Sequence, residues 1–491
     1  MTNIMNADIK NIIKAIANKE YSVEELVNDF IKKIDKLDKF NLVSEKLYDE
    51  AILQAKKADA KKKEDRLPLE GIPIAVKDIF CTEGNKTSAS SNILKNFKAP
   101  YESTVTQSLK NAGAIIICKT NMDEFAMGSA SDTCNLGNVI NPWTKDFSKP
   151  LTPGGSSGGS AGIMAASGAC FSLGTDTGGS IRQPASFCGV VGIKPTYGRC
   201  SRFGIIAFAS SLDQAGPFTK NVEDGALALT HMVSYDKKDS TTSMEKMPEL
   251  FKNLKNGVRG LKIGIPKQYD IEGIPSEIKD LWNKGKKILE KLGAEIIDIS
   301  LPHTKYALPT YYIIAPAEAS ANLARYDGVK YGYRSKNKFE DLNEMYCKTR
   351  GEGFGKEVKR RLLIGTYVLS SGYYDAYYLH AQKVRRRIIE DFDNAFNKID
   401  LILTPTAPSD AFMIGEKTED PISMYLNDIF TVPSSLAGLP ALSLPGAMSD
   451  NGRPLGLQLI GNTFCEDLLL RGAYAIEQEI CFKNEPPLGN L

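Results

Sequence analysis

The chain has 491 residues, 42% hydrophobic and 24% charged, with 61 Lys+Arg against 59 Asp+Glu for a net charge of +2. This composition excludes a disordered chain and a globally basic nucleic-acid binder, although a locally basic face stays open. The nine cysteines are scattered and none form a C-x-x-C pair, so reduced thiols are expected rather than a disulfide frame or zinc knuckle.

The first stretch, "MTNIMNADIKNIIKAIANKE", carries isoleucines at helical spacing with charges throughout. It reads as an amphipathic helix rather than a signal peptide, and no apolar run approaches the eighteen or so residues of a membrane span. A cytoplasmic protein is the expectation. "YSVEELVNDFIKKIDKL" begins with Ser22 and has Glu25 three positions later, the pattern of a capping box. Residues 1–65 are therefore expected to form an N-terminal helical segment ahead of one large domain over 66–491. The Lys-rich end of "AILQAKKADAKKKEDR" reads as a solvated helix face.

From Leu69 the character changes. "GIPIAVKD" (71–78) and "AIIICKT" (114–120) are short β-branched runs, read as buried strands that alternate with helical segments. That alternation predicts an α/β domain whose central sheet is covered on both faces by helices. The polar, Lys-rich stretch 235–260 is expected to be a surface connection. After it, "LKIGIPK" and "EIIDISL" read as strands flanking the helix "SEIKDLWNKGKKILEKLGA", 340–400 is mostly helical, and "LILTPTAPS" (401–409) is a strand running into a loop.

One segment stands apart. Four glycines and three serines occupy Gly154 to Ser160 in "LTPGGSSGGSAG". A flexible linker would have polar flanks, whereas this one runs into the small apolar residues of "AGIMAASGACFSLGTD". A phosphate-binding P-loop would need a lysine after its last glycine, and "GEGFGK" (351–356) has no strand before it. The third reading is catalytic. Twenty-four residues beyond Ser156, "GTDTGGSIRQPASFCG" (174–189) places Ser180 after two glycines and before a short helix. The N–H groups of Thr177, Gly178, Gly179 and Ser180 then suit an oxyanion hole, and Ser180 suits a nucleophile for acyl transfer. The three histidines, His231, His303 and His380, all lie outside the Gly/Ser-rich segments. The other candidate base is Lys77, at the end of an apolar strand where desolvation lowers an amine's pKa.

"GIPIAVKD", "TPGGSSGGSAG" and "GTDTGGSIRQPASFCG", in this order and spacing, resemble the amidase signature family. The resemblance runs from about Gly71 to the end of the chain. It implies a single α/β domain with a mixed central sheet and a Ser–cis-Ser–Lys triad. Ser180 would be the nucleophile, Ser156 the bridging serine behind a cis Gly155–Ser156 bond, and Lys77 the base.

Further stretches are similar to one branch of that family, the glutaminase subunits of tRNA-dependent amidotransferases. They include "TNMDEFAMGSASDTCNLGNVINPW" (120–143), "SSLDQAGP" (210–217, with Gln214 where many stand-alone amidases have Thr), "EVKRR" (357–361) and "MYLNDIF" (424–430). What this resemblance implies is glutamine hydrolysis that feeds ammonia to a B-type partner, within a heterotrimer that also holds a C-type subunit. The partner would carry ATP, Mg²⁺ and most tRNA contact, and this chain would need neither metal nor cofactor. For the substrate's α-carboxylate the resemblance implies Arg361, with Arg360 as the adjacent alternative; for its α-ammonium, Asp428. Tyr312, with Tyr311 as alternative, is an expected pocket wall, and Ser129 an expected substrate contact. Gly162 and Ala215 depart from the family's usual residues, which bears on local packing alone.

Overall fold

The computed structural model describes residues 4–417 and 420–488. Eleven strands form one mixed sheet. They are β1 (Val43–Lys46), β2 (Pro73–Lys77), β3 (Ile115–Thr120), β4 (Phe171–Asp176), β5 (Val191–Lys194), β6 (Gln214–Thr219), β7 (Lys262–Pro266), β8 (Glu295–Ile299), β9 (Leu401–Pro405), β10 (Ala441–Met448) and β11 (Pro454–Gly461). Their order is β1-β3-β2-β4-β6-β5-β10-β11-β9-β7-β8. β3, β2 and β4 are mutually parallel, as are β9, β7 and β8, while the stretch from β4 through β6, β5, β10 and β11 to β9 is antiparallel. The α/β class with a mixed sheet is what the alternating apolar runs imply. The central strands are apolar without alternation, and every residue of β2, β3, β4, β6, β9 and β11 is buried, as a sheet covered on both faces requires.

The N-terminal segment is woven into the domain. Ser22 and Glu25 form the capping box that the spacing predicts, and they start the helix Val23–Lys36. The structure adds a strand that the helical reading of 1–65 does not contain: β1 pairs antiparallel with β3 at the sheet edge. Its sequence, VSEK, is short and only half buried, so it carries little periodic signal. The connection 235–260 lacks helices and strands, but Leu250, Leu254 and Val258 are buried and pin it to the core.

The three parallel strands β3, β2 and β4 set up the site. Their carboxyl ends point the same way, which is where open α/β sheets place ligand-binding loops. β2 ends on Lys77, β3 delivers the turn 121–135, and β4 delivers the turn 177–181. Antiparallel β6 pairs Gln214 with Asp176, so Asp213 arrives at the same edge.

Candidate active site

Lys77 is fully buried, and its Nζ lies 2.8 Å from Ser156 Oγ, 2.8 Å from Ser157 Oγ and 2.9 Å from Thr175 Oγ1. Burial pulls its pKa down from 10.5 to about 7, against the opposing pull of the Asp123, Asp213 and Asp176 carboxylates. A neutral amine has two N–H donors and one lone pair. Ser157 Oγ already donates to the Thr175 carbonyl at 3.1 Å, so it accepts from Lys77. With Thr175 Oγ1 taking the second N–H, the lone pair is left for the Ser156 hydroxyl, which is the arrangement a proton relay needs.

The Gly155–Ser156 peptide is cis, as the resemblance implies. The loop around it is held from both sides. The Gln183 side chain accepts from Gly155 N at 3.0 Å and donates to the Ser129 carbonyl at 2.9 Å. Beneath it, a Cβ on Gly155 would lie 2.1 Å from Asp123 Oδ2. Asp123 itself accepts from the N–H groups of Ser131 (2.9 Å) and Thr133 (3.2 Å) and from the Thr133 hydroxyl (2.8 Å). A glycine at 155 is therefore required by contact. Gly162 has a similar reason, because a Cβ there would press on Leu42 Cδ2 at 2.6 Å.

Ser180 is the most accessible of the three expected catalytic side chains, at 8% exposure against 0% for Lys77 and Ser156. It stands in the turn between β4 and the helix Arg182–Cys188. Among the described residues no partner engages the N–H groups of Thr177, Gly178, Gly179 and Ser180, so four donors converge beside the nucleophile. The turn is braced on every side. Thr177 Oγ1 donates to Asp213 at 2.8 Å, and Thr431 Oγ1 donates to the Gly178 carbonyl at 2.7 Å. At Gly179, φ is +153° and a Cβ would collide with Thr431 Oγ1 at 2.2 Å. Below the turn, Arg182 and Asp176 form a fully buried ion pair at 3.0 Å. Arg182 also donates to the Thr431 carbonyl, Ser434, Ser435 and Gln458, so its charge is compensated throughout.

A cavity of about 330 Å³ opens beside this turn, at the small end of the range for small-molecule sites. Ser129, Glu124, Glu357, Arg360, Arg361 and Tyr425 are among the residues in its wall. Arg361 and Arg360 both reach it, but only Arg361 is buried (4% exposed). Its Nε donates to Glu357 Oε1 at 2.8 Å, and its guanidinium lies over the rings of Tyr312 and Tyr425. Burial works against its charge, but Glu357 and the facing tyrosines outweigh that and hold it protonated. Arg360 is 45% exposed at the rim and pairs with the other oxygen of Glu357 at 2.8 Å.

Both tyrosine alternatives belong to the site, with different positions. Tyr312 stacks on Tyr425 with centroids 3.8 Å apart, and Tyr311 backs the oxyanion turn, where a Cβ on Gly178 would lie 2.8 Å from its Cζ. Asp428 is buried and accepts from Ser129 Oγ at 2.6 Å. Burial pushes its carboxyl up to about 7, with Ser129 and Arg361 pulling the other way. Its Oδ1 lies 3.2 Å from where a Gly179 Cβ would sit. Asp428 thus joins the cavity wall to the nucleophile's turn.

Gln214 lies away from the cavity wall. It is buried, accepts from Gly198 N at 2.9 Å and donates to the Ala215 carbonyl. None of the three histidines lines the cavity; His303 is hydrogen-bonded to Asp391. Several site residues escape a reading of the sequence: Ser157 and Thr175 on the lysine, Asp123 and Gln183 beneath the loop, and Glu357 and Tyr425 around Arg361. Each lies inside a motif that the sequence makes legible, but its role depends on contacts between segments far apart in the chain.

The family described as Amidase matches residues 25–470. The A subunit of the glutamyl-tRNA(Gln) amidotransferase of Pelagibacter ubique is 58% identical over 99% of both chains. The protein of the same name from Rickettsia bellii is 52% identical over 100% of both. A solved structure of the corresponding A subunit from Thermotoga maritima superposes with a TM-score of 0.81 at 38% identity, covering 99% of this chain and 97% of that one. A bacterial aryl acylamidase at 23% identity shares the fold, with a TM-score of 0.82. Among the described residues no helix is long and apolar enough to cross a membrane. With the family matched across most of its length and relatives more than half identical from end to end, the chain belongs to the amidase family, on the side of its amidotransferase A subunits.

Proposed function

We propose that the chain hydrolyses the side-chain amide of glutamine and supplies the ammonia to a tRNA-dependent amidotransferase. What carries this reading is the pairing of buried Arg361 and buried Asp428 on either side of Ser129, next to a Ser180 turn with free N–H donors. Arg361 takes the α-carboxylate through its Nη groups, Asp428 the α-ammonium, and Tyr312 the wall between them. The γ-amide then faces Ser180.

Ser180 Oγ attacks the amide carbon as its proton passes to Ser156 Oγ and the Ser156 proton passes to neutral Lys77. The oxyanion is held by N–H groups of 177–180. The C–N bond breaks as the proton returns through Ser156 to the leaving nitrogen, releasing ammonia and a γ-glutamyl ester on Ser180. Water attacks the ester by the same relay and glutamate departs. ATP and Mg²⁺ are assigned to a B-type subunit, which with a C-type subunit completes a cytoplasmic heterotrimer and makes most of the contact with Glu-tRNA(Gln) or Asp-tRNA(Asn). The relatives' name, in which each is one lettered component of a larger amidotransferase, supports this division.

The test is ammonia release from glutamine by the purified chain, alone and with its partner subunits, for wild type and Ser180→Ala. Release that Ser180→Ala abolishes is expected. If glutamine is inert in every combination while a simple aliphatic amide is cleaved through Ser180, the chain is a stand-alone amidase instead.

A further inference from the structure

A groove of about 690 Å³ lies outside the catalytic cavity, between the segment 92–98 and the loop 331–336. The Tyr333 amide donates to the Ile93 carbonyl at 2.7 Å and locks the two walls together. Segments 92–98 and 325–340 hold seven cationic and two acidic residues, a net of +5 in a chain whose total is +2. Lys95, Lys98 and Lys336 are exposed in the groove, and none pairs with a carboxylate among the described residues. The one acidic side chain in the wall, Glu352, is already occupied by Tyr333, Ser335 and Asn337. Between the cations lie the rings of Phe97 and Tyr331, 5.8 Å apart, with Tyr331 39% exposed.

Unpaired lysines interleaved with an accessible ring are what a nucleic-acid backbone and an unstacked base require. They are not what a protein partner favours, because lysine is depleted at such interfaces. We propose that this groove binds RNA, with Lys95, Lys98, Arg334 and Lys336 on the phosphates and Tyr331 stacking on a base. The choice of RNA among polyanions rests on the proposed amidotransferase reading. The groove itself adjoins the cavity: Ser91, next to Asn92, is hydrogen-bonded to Glu124, which lines the cavity and accepts from Gly355 N. RNA held here would lie against this chain and its partner together.

The experiment titrates fluorescein-labelled tRNA(Gln) into the assembled complex over a series of salt concentrations. It compares wild type, the triple variant Lys95→Gln/Lys98→Gln/Lys336→Gln, and Tyr331→Ala. Since each neutralised phosphate contributes about −0.7 to −0.9 to the slope of log K against log salt, the triple variant should flatten that slope by about 2. It should also weaken binding by roughly tenfold or more at moderate salt. Tyr331→Ala should weaken binding several-fold and leave the slope unchanged. Unchanged affinity in the triple variant overturns the proposal, and so does a triple variant that no longer assembles with its partners, since the groove is then a protein interface. Ammonia release is measured on the same samples. Groove-dependent RNA binding without glutaminase activity would sink the functional reading alone; glutaminase activity with groove-independent RNA binding would sink this inference alone.

Discussion

The Lys77 corner and the Arg361 wall flank the same turn, and they handle charge in opposite ways. At Lys77 the polar neighbours within hydrogen-bond reach are hydroxyls, so burial strips the proton from the amine and leaves a base. At Arg361 a carboxylate and two aromatic faces surround an equally buried cation, so it stays charged and offers its outer nitrogens to an anion. Two positive side chains under the same desolvation thus become a proton acceptor and a carboxylate anchor. The neighbours, and not the depth, set the role.

The strongest way to break that contrast is at the base. Lys77→Ala removes the only group that takes the relayed proton, and kcat for ammonia release should fall by about 10⁴ or more. Ser156→Ala should cost a similar factor, and the double variant little more than either alone, because the groups act as one unit. Fully additive losses in single-turnover assays would show that the relay is not a unit.

The anchor side should respond in KM. Arg361→Ala loses a charge-assisted contact of about 1.5–3 kcal/mol, so KM for glutamine should rise roughly 10- to 150-fold with a much smaller change in kcat. Arg360→Ala, on the half-exposed rim, should stay within about threefold. A reversal of the two results would move the carboxylate to Arg360.

The pH profile should sharpen the comparison. Lys77 acts when neutral, and its pKa lies at about 7, so kcat should rise as pH increases through 7 and level off above it. Asp428 binds the ammonium when ionised, and in the free protein its carboxyl also stands at about 7. Both groups are in the unfavourable form below 7, so log kcat/KM should fall more steeply on the acid side than log kcat, with a slope between one and two. Asp428→Asn should remove the extra steepness and leave the kcat profile in place. Parallel acid limbs in the wild type would mean that Asp428 is already ionised before substrate binds.

Sequence made the first region easier to read than the second. Lys77, Ser156 and Ser180 sit in glycine-rich motifs whose composition states a local requirement: close backbone approach at Gly155, and a turn of free N–H donors at 177–180. Arg361 and Tyr312 lie on helices, where an adjacent arginine or tyrosine satisfies the same local pattern. Only the tertiary packing distinguishes them: Arg361 is turned under Tyr425 while Arg360 points to the rim, and Tyr311 backs the oxyanion turn while Tyr312 faces Tyr425. The carboxylates Asp123 and Glu357 were out of reach for the same reason. Each partners a group distant in sequence or on the far side of a helix turn. β1 escaped because four half-polar residues at a sheet edge carry no periodicity worth reading.

The smallest expected effect tests how the two regions are joined. Glu124 is buried, hydrogen-bonded to Ser91, and accepts from Gly355 N at 2.8 Å. Gly355 is the N-cap of the helix Lys356–Val368 that carries Arg361, so Glu124 fixes where that helix begins. Burial raises the Glu124 carboxyl to about 7, with Ser91 and Gly355 opposing the rise. Glu124→Ala leaves the Gly355 N–H without its acceptor and lets the first helical turn shift. The guanidinium is set by geometry rather than by contact with Glu124, so KM for glutamine should rise a few-fold while kcat stays within about twofold. Glu124→Gln keeps an oxygen for Gly355 N and an amide for Ser91, and it should restore most of the affinity. If Glu124→Ala lowers thermal stability but leaves KM untouched, the helix start does not position Arg361. The anchor would then depend on Glu357 and the stacked tyrosines alone.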